Sequence, residues 1–441
     1  MATTDRLGLP ISTASPAAAA HYQQGIDFLL AFWPGAAAAL DEAIERDDNF
    51  ALALAARARL SLLQSEPHKA KQMIGRARDA VAVNGTDRER SHVEVVRLGI
   101  EGTPAQTLKL ALSHISQWPR DALIMSLPLG GIGLFASSGM PDHDQARVDL
   151  CEQYAGNYDD DWWFESHRGW AHTENGNVAH GRRLAERALA LKRENATAAH
   201  ALAHGLFESG APSEADAFIA DWLLTYDRCG ALHGHLSWHQ ALAALDEGDV
   251  DRAIKLYEDQ VQPSAATSGP PVFVLADCAS FLWRLDLYGH NAGKARWGDA
   301  ATFVERAFSA PGFAFADAHI GLVAAATGNG ALFDAWMNGI GQRAREAKYP
   351  SGEVVPEICR GLMAFAAGNY RECAAHLEPV SHDFIRIGGS HAQREVFEDT
   401  LIVALLRADE PAKARSVLQA RLHRRPSQRD ETWHSEAVRK Q

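Results

Sequence analysis

The chain of 441 residues has only five cysteines, and they are scattered along it. Their number is odd and no two of them form a CxxC pair, so the sequence implies neither a disulfide framework nor a zinc ribbon. This cysteine usage predicts a protein of a reducing compartment.

Long hydrophobic runs are also missing. The start, MATTDRLGLP, has no basic segment followed by an apolar one, and no later stretch offers the roughly 18 uninterrupted apolar residues of a membrane span. We therefore expect a cytoplasmic protein with no membrane contact.

Basic residues are outnumbered by acidic ones. The 43 Lys and Arg against 56 Asp and Glu give a formal net charge of -13. Phosphate binding needs clustered Lys and Arg, and no such stripe occurs before the last twenty residues, which argues against a nucleic-acid partner.

The P-loop, GxGxxG and GxSxG motifs are absent as well, so nucleotide-dependent chemistry and a serine nucleophile are not indicated.

The sequence does contain a repeat. Tetratricopeptide repeats of 34 residues carry small residues at positions 8, 20 and 27 and often Gly at position 15. Registers that begin at Trp162, Ala196 and Gly234, spaced by 34 and 38 residues, match this pattern. The matching residues are Gly169, Gly176, Gly181 and Ala188 in the first register, Ala203, Gly210 and Ala215 in the second, and Ala241, Gly248 and Ala253 in the third.

Short breakers separate helical patterns, and no convincing period-2 apolar run interrupts them. We predict an all-α fold, a tetratricopeptide-repeat-like α-solenoid in which antiparallel helix pairs form a right-handed superhelix over residues 1–420. Loops are expected at Pro128–Gly139 and Gln262–Pro271. Residues 421–441 are charged without an apolar face, which predicts a basic, flexible tail.

Several short strings are more specific than the repeat pattern. They are His200-Ala-Leu-Ala-His204, His235-Leu-Ser-Trp238-His239, Asp277-Cys-Ala-Ser280 with Arg284, Asp317-Ala-His319, and Gly388-Gly389-Ser390-x-Ala392-Gln393-Arg394. In these strings the chain resembles the tetratricopeptide repeat protein 38 family of animals and bacteria. The resemblance extends from Leu9 to Phe397, although His391 stands where the family pattern has Asn. It implies a helical repeat fold and no settled activity.

Two histidine pairs lie within the repeats. His200 and His204, like His235 and His239, are spaced i, i+4 and so share one helix face. The pairs are 35 residues apart, close to one repeat, which predicts a four-histidine cluster on neighbouring helices. Imidazole binds transition metals, but no carboxylate stands at a metal-ligand spacing such as HExxH. We therefore favour an unmetallated polar pocket over a metal centre and expect no cofactor.

Asp317 and His319 are the remaining candidates for acid/base catalysis beside the four histidines. They are two residues apart and point to different faces of a helix. Asp317 either orients one of the histidines, as carboxylates do for catalytic imidazoles, or caps a helix. A relay of neutral imidazoles held by Asp317 or Asp277 is a further alternative.

The candidate ligand-binding residues are Trp238, Asp277, Arg284, Ser390, Gln393 and Arg394. Asp277 and Arg284 share a helix face, which favours an intrahelical network. Ser390, Gln393 and Arg394 follow a Gly-Gly entry to a helix and could hold a carboxylate or phosphate, or could merely cap that helix.

Two functions compete at this point. In the first, a closed groove holds a small, anionic molecule and acts on it by histidine acid/base chemistry, as a hydrolase or lyase would. In the second, an open groove binds an extended peptide or protein partner without catalysis. Histidine and tryptophan, rather than ladders of Asn, Lys and Arg, favour the first. The oligomeric state stays open.

Overall fold

The computed structural model describes residues 3–265 and 269–440, so residues 266–268 of the expected Gln262–Pro271 loop lie outside the described part. Within that part the secondary structure is helical, and the single β pairing is an isolated bridge between Thr4 and Pro10. The predicted all-α, tetratricopeptide-repeat-like solenoid of helix pairs is confirmed. Among the described helices, none has both the length and the hydrophobicity needed to cross a lipid bilayer.

The described residues form 23 α-helices joined by short connections. In chain order they are α1 Pro16–Ala31, α2 Ala36–Arg46, α3 Ala51–Leu63, α4 Pro67–Asn84, α5 Asp87–Glu101, α6 Pro104–Gln117, α7 Ala122–Leu129, α8 His143–Tyr154, α9 Trp162–Glu174, α10 Val178–Leu191, α11 Ala196–Glu208, α12 Pro212–Leu223, α13 His233–Asp246, α14 Val250–Leu256, α15 Pro271–Leu287, α16 Lys294–Ala307, α17 Ala314–Thr327, α18 Gly330–Arg345, α19 Val354–Ala366, α20 Tyr370–Leu377, α21 His391–Arg407, α22 Pro411–Arg424 and α23 Gln428–Arg439.

The predicted repeat registers agree with the helix boundaries. Helix α9 begins at Trp162, α11 at Ala196 and α13 one residue before Gly234. Gly210 and Gly248, which the registers place after the first helix of a pair, have positive φ angles of 72° and 82°. Glycine adopts this conformation without steric cost, so it ends one helix and turns the chain toward the next.

Backbone contacts divide the chain into two compact units, where the sequence predicted one continuous domain. The first unit comprises Met1–Phe135, Asp144–Ala171 and Arg183–Ala201. The second comprises Ala136–His143, His172–Arg182 and Leu202–Gln441.

The first unit contains the helix pairs α1/α2, α3/α4 and α5/α6. Its polar interior centres on the buried Asp121 carboxylate. Arg88 donates to this carboxylate at 2.9 Å and His92 Nδ1 at 2.9 Å, while His114 Nε2 lies 3.3 Å away. Burial alone would raise the pKa of Asp121, but these three groups hold it well below its usual value. The cluster therefore stabilises the packing of α5 and α6 on the segment that enters α7.

In the second unit, the first helices of successive pairs pack on one another and form the inner layer. Helix α13 contacts α15, α15 contacts α17, and α17 contacts α19, while α21 packs against both α15 and α19. These helices are buried on nearly all sides, as α13 is from His233 to Leu245. The second helices, such as α14 and α18, bury only one face. Polar side chains on the inner helices therefore face other protein groups rather than water.

The end of the chain differs from the flexible tail that its composition predicted. Arg421 donates to Asp399 at 2.6 Å and to Asp430 at 3.0 Å, and Arg425 donates to Glu395 at 2.7 Å. All five side chains are buried. The basic residues therefore neutralise buried acids of α21 and α23, and α23 packs against α22.

The substitution Gly361→Ala in α19 tests the packing of α19 against α20. A Cβ at Gly361 would stand 2.7 Å from Leu377 Cγ, and Leu377 is fully buried. We expect overpacking to destabilise the protein by about 1–3 kcal/mol, only partly offset by the better helix propensity of Ala. Thermal and urea unfolding would measure the change.

The matched control is Gly298→Ala in α16, where an added Cβ meets nothing within 4 Å. This variant should unfold at the same or a slightly higher temperature than the parent, since Ala favours a helix by about 1 kcal/mol. If Gly361→Ala is as stable as Gly298→Ala, the described packing of α19 against α20 is wrong.

Candidate functional site

Three of the four predicted histidines meet in the second unit. His204 lies in the last turns of α11, and His235 and His239 lie one turn apart on α13. All three are at most 5% exposed, because α13 is an inner helix. One ring nitrogen of each lies within 4.8 Å of the others. We call these three residues the histidine centre.

His235 is oriented by a carboxylate from the next inner helix. Its Nδ1–H donates to both oxygens of Asp277 on α15, each at 2.9 Å. Its ring stacks on Trp238, with centroids 5.3 Å apart, and on Phe273 at 5.6 Å. Burial raises the pKa of Asp277, and the adjacent imidazole opposes that rise only in part. The Asp277 carboxylate on Nδ1 therefore fixes the tautomer and the orientation of this imidazole.

The Nδ1 atom of His204 also lies beside a carboxylate, that of Glu174. Glu174 Oε1, from the last residue of α9, lies 3.0 Å from that nitrogen. The other oxygen of Glu174 accepts the backbone N–H of His391, the first residue of α21, at 2.8 Å. Glu174 therefore ties the histidine centre to the start of α21.

His239 lies between the two carboxylate-bound imidazoles. Its ring centroid is 4.5 Å from that of His204 and 5.0 Å from that of His235, with interplanar angles of 80° and 74°. The Trp238 ring packs against it at 4.8 Å. Trp238, one of the candidate ligand-binding residues, thus packs as an aromatic wall against the centre.

His200 stands one turn before His204 on α11, in the stretch of that helix that belongs to the first unit. There its ring stacks on Trp170 with centroids 5.1 Å apart and an interplanar angle of 23°. The i, i+4 spacing correctly placed the two histidines on one helix, while the centre described in the second unit comprises His204, His235 and His239.

A second cluster adjoins the histidine centre. Glu174, Glu208 and His391 each offer one potential ligand atom within 4.8 Å of the other two. His391 Nδ1 is 3.6 Å from Glu208 Oε1. Burial lowers the pKa of His391, but the carboxylates of Glu174 and Glu208 outweigh that effect and raise it above the usual value. We call these three residues the carboxylate cluster.

Asp317 does not orient a histidine. Its carboxylate accepts hydrogen bonds from Trp336 Nε1 at 2.9 Å, Tyr349 Oη at 2.8 Å and the backbone N–H of Gly312 at 3.0 Å. Burial raises its pKa to about 6 against these donors. The residue therefore joins α17 to α18 and to the segment before α19.

His319 is a core residue of α17. Its Nδ1–H donates to the Phe315 carbonyl at 2.7 Å, and its ring packs against Phe315 at 4.5 Å and Phe397 at 5.5 Å. Burial lowers the pKa of this imidazole to about 4. These contacts give it a packing role in the described structure.

The polar groups expected to bind an anion make internal hydrogen bonds. Arg284 donates to the Ala392 carbonyl at 2.7 Å and to Asp399 at 3.3 Å, so the expected network with Asp277 does not form. Arg394 donates to the Gly389 carbonyl at 2.5 Å.

Ser390 and Gln393 form a reciprocal capping box at the start of α21. Of the two roles that the sequence left open for this pair, the structure shows the capping one. The geometry therefore offers little to a small anion at this position.

Sequence reasoning missed Glu174 and Glu208 as site residues. Both stand at position 13 of their repeats, since the registers begin at Trp162 and Ala196, and Asp246 occupies the same position in the third. A carboxylate at one position of three successive repeats is a signal that could have identified them. The carboxylates that lie on the imidazoles come from other helices, Glu174 from α9 and Asp277 from α15, and not from the HxxxH helices themselves.

The successive antiparallel helix pairs define a helical repeat protein of the tetratricopeptide-repeat type. No family model matches the chain. Similar solved structures include human IFIT1 with PPP-AAAA, at 12% identity and TM-score 0.41, covering 88% of this chain and 90% of that one. The APC/C hetero-tetramer Cut9–Hcn1, at 12% identity and TM-score 0.38, covers 88% and 76%. Yeast Tom70, at 12% and 0.33, covers 95% and 86%. TM-scores this low carry no information on the ligand of this chain.

The substitution His319→Leu tests the packing role of His319 through pH. Below about pH 6.5 the unfolded chain protonates this imidazole, whereas the folded protein does so only near pH 4, so acid favours unfolding. As the pH falls through this window, the loss of stability caused by this residue grows from zero near pH 6.5 to about 3 kcal/mol near pH 4. We expect His319→Leu to unfold less readily than the parent at pH 4.5 and similarly at pH 7.5, as measured by urea denaturation.

His382→Leu is the control, because His382 is 76% exposed. Its pH dependence of stability should match that of the parent. An equal acid sensitivity of His319→Leu and the parent would contradict the neutral, buried state of His319.

Proposed function

We propose that this chain is a metal-binding helical repeat protein whose histidine centre, His204, His235 and His239, holds one divalent transition-metal ion. The observation that carries the proposal is that carboxylates of Asp277 and Glu174 lie on the Nδ1 atoms of two of these imidazoles. Ligating histidines almost always present this arrangement, because the outer carboxylate fixes the tautomer and strengthens the ligand.

The spacing of the rings supports the same conclusion. Two nitrogen ligands of a tetrahedral zinc ion, bonded at about 2.0–2.1 Å, stand about 3.3 Å apart. The three ring nitrogens already lie within 4.8 Å of one another. Small ring rotations would bring them into coordination distance. Three imidazole ligands suit zinc, copper, nickel or cobalt better than magnesium or calcium.

The negative charge of the carboxylates around the histidine centre favours a cation over an anion as its ligand. Asp277 and Glu174 are both buried, and a buried carboxylate is costly unless its negative charge is compensated. A divalent ion on the imidazoles would neutralise the two negative charges. The arginines that could have attracted an anion, Arg284 and Arg394, donate to groups of the fold. We therefore infer that the ligand of the histidine centre is a metal ion and not the small anionic molecule that the sequence favoured.

The resemblance to the tetratricopeptide repeat protein 38 family enters here as part of the proposal. The strings that carry the resemblance include His204, His235, Trp238, His239 and Asp277. We infer that these strings of the chain serve to build the histidine centre.

Metal titration tests the proposal. The chain without an affinity tag, stripped with a chelator, should bind one Co²⁺ at the histidine centre, seen by visible absorption, and Zn²⁺ should displace it. His239→Ala removes a ligand and should abolish this binding. Asp277→Asn keeps the ligands but loses the outer carboxylate, so affinity should fall by about 10–100-fold. Bound metal should also raise the melting temperature.

The matched control is His382→Ala, which removes an exposed imidazole. It should bind Co²⁺ as the parent does. Absence of stoichiometric binding by the folded parent, or equal loss in His382→Ala and His239→Ala, would refute the metal site.

A second candidate function is binding of an extended peptide, and one surface feature favours it. An open cleft of about 690 Å³ lies between α12, α13 and α14 and is lined by Leu224, Tyr226, Arg228 and Gln240, among others. Leu224 is 84% exposed at this cleft. An apolar side chain beside polar groups suits a peptide with an apolar anchor.

Selection from a displayed peptide library tests this second function. An enriched peptide should bind the parent and lose at least about tenfold in affinity to Leu224→Asp, since a charge would replace the apolar contact. Val83→Asp alters another exposed aliphatic residue, 78% exposed in α4, and should leave binding unchanged. Failure to enrich any sequence, or equal binding to Leu224→Asp, would count against the cleft.

A further inference from the structure

The carboxylate cluster is a separate place where the fold gathers ligand atoms. We propose that Glu174, Glu208 and His391 form a second divalent-cation site, suited to Mn²⁺, beside the histidine centre. It is built from the ends of α9 and α11 and the first residue of α21.

The three ligand atoms come from three different helices and converge. One atom from each residue lies within 4.8 Å of the other two. Glu174 is 1% exposed and Glu208 is 3% exposed, while the His391 side chain keeps 19% of its surface. The cluster is therefore enclosed by protein and open on the His391 side, which gives an ion a path of entry.

The carboxylate of Glu208 is the observation that points to a ligand. Its Oε1 is buried and finds no hydrogen-bond donor in the described part of the chain, and the same holds for His391 Nδ1. The two atoms face each other at 3.6 Å, which is too long for a hydrogen bond. A buried carboxylate oxygen left in this state costs free energy unless a cation or water occupies the space between the two groups.

Two arginines near the cluster donate hydrogen bonds to a carboxylate and a carbonyl outside it. Arg425 Nη2 donates to both carboxylate oxygens of Glu395, at 2.9 Å and 2.7 Å. Arg394 donates to the Gly389 carbonyl. Two carboxylates and one imidazole therefore converge on one place, and this donor set is one that a divalent cation accepts.

The donor set separates this site from the histidine centre. Two carboxylates and one imidazole form an oxygen-rich set, which suits a harder ion such as Mn²⁺. Three imidazoles suit Zn²⁺ or Co²⁺. Glu174 belongs to both environments, because Oε1 lies on His204 and Oε2 accepts the His391 N–H.

Electron paramagnetic resonance of Mn²⁺ tests the site on the full, tag-free and chelator-stripped chain. Free Mn²⁺ gives a strong signal that falls on binding, so a titration yields both stoichiometry and affinity. We expect one equivalent of bound Mn²⁺. Glu208→Gln and His391→Asn should each weaken this binding at least about tenfold, since each removes a ligand. His391→Asn retains the backbone N–H to Glu174.

Two further variants separate this site from the histidine centre. His239→Ala should keep Mn²⁺ binding while it loses Co²⁺, and Glu208→Gln should do the reverse. Glu174→Gln should weaken the binding of both ions, and the expectations for Co²⁺ rest on the proposed function. If the histidine centre binds no metal, Glu174→Gln should still weaken Mn²⁺.

Glu305→Gln is the matched control, because Glu305 is an exposed acid of α16. It should bind Mn²⁺ like the parent. The proposal is overturned if the folded parent binds no Mn²⁺, if Glu208→Gln and His391→Asn bind it unchanged, if Glu305→Gln weakens it equally, or if His239→Ala abolishes it. Circular dichroism of each variant shows that the loss is local. Should Glu208→Gln not fold, the partly exposed His391→Asn decides the test.

Discussion

A helix that is buried on every side must satisfy its polar side chains with other protein groups, and this constraint shapes the second unit. Helices α13, α15, α17 and α21 pack against one another and have almost no face in water. Water cannot compensate for a polar group there, and an unpaired group costs free energy. The histidines, acids and arginines of these helices are therefore distributed into defined clusters.

Those clusters fall into two kinds. Asp317, with three donors, and the Arg421–Asp399 pair satisfy their own hydrogen bonds and hold helices together. The histidine centre and the carboxylate cluster combine several metal-ligating atoms in one place, and Glu208 Oε1 lacks a donor in the described residues. Glu208 Oε1, a buried carboxylate oxygen without a donor among the described residues, distinguishes the carboxylate cluster from these two structural groups.

The spacing of residues along one helix was enough to predict part of the candidate site. The HxxxH pairs correctly placed His235 and His239 on one face of α13, since i and i+4 are neighbours on any helix. The partnership of Asp277 with a histidine was one of several alternatives, and the structure places its carboxylate on His235. Asp317 had equal standing in the sequence, but it lies with Trp336 and Tyr349. Contacts between helices depend on how each pair rotates against the next, which spacing within a helix does not contain.

The all-α class, the helix pairs and their boundaries near Trp162, Ala196 and Gly234 followed from the sequence alone, because small residues and glycines recur wherever two helices pack closely and turn. Capping of α21 by Ser390 was one of two alternatives that the sequence offered, and the hydrogen bonds of this cap are local. Only the tertiary structure decided that Glu174 reaches His204, that Glu208 faces His391, and that the charged end of the chain is folded. Each of these depends on groups far apart in sequence, where no local periodicity specifies the partner.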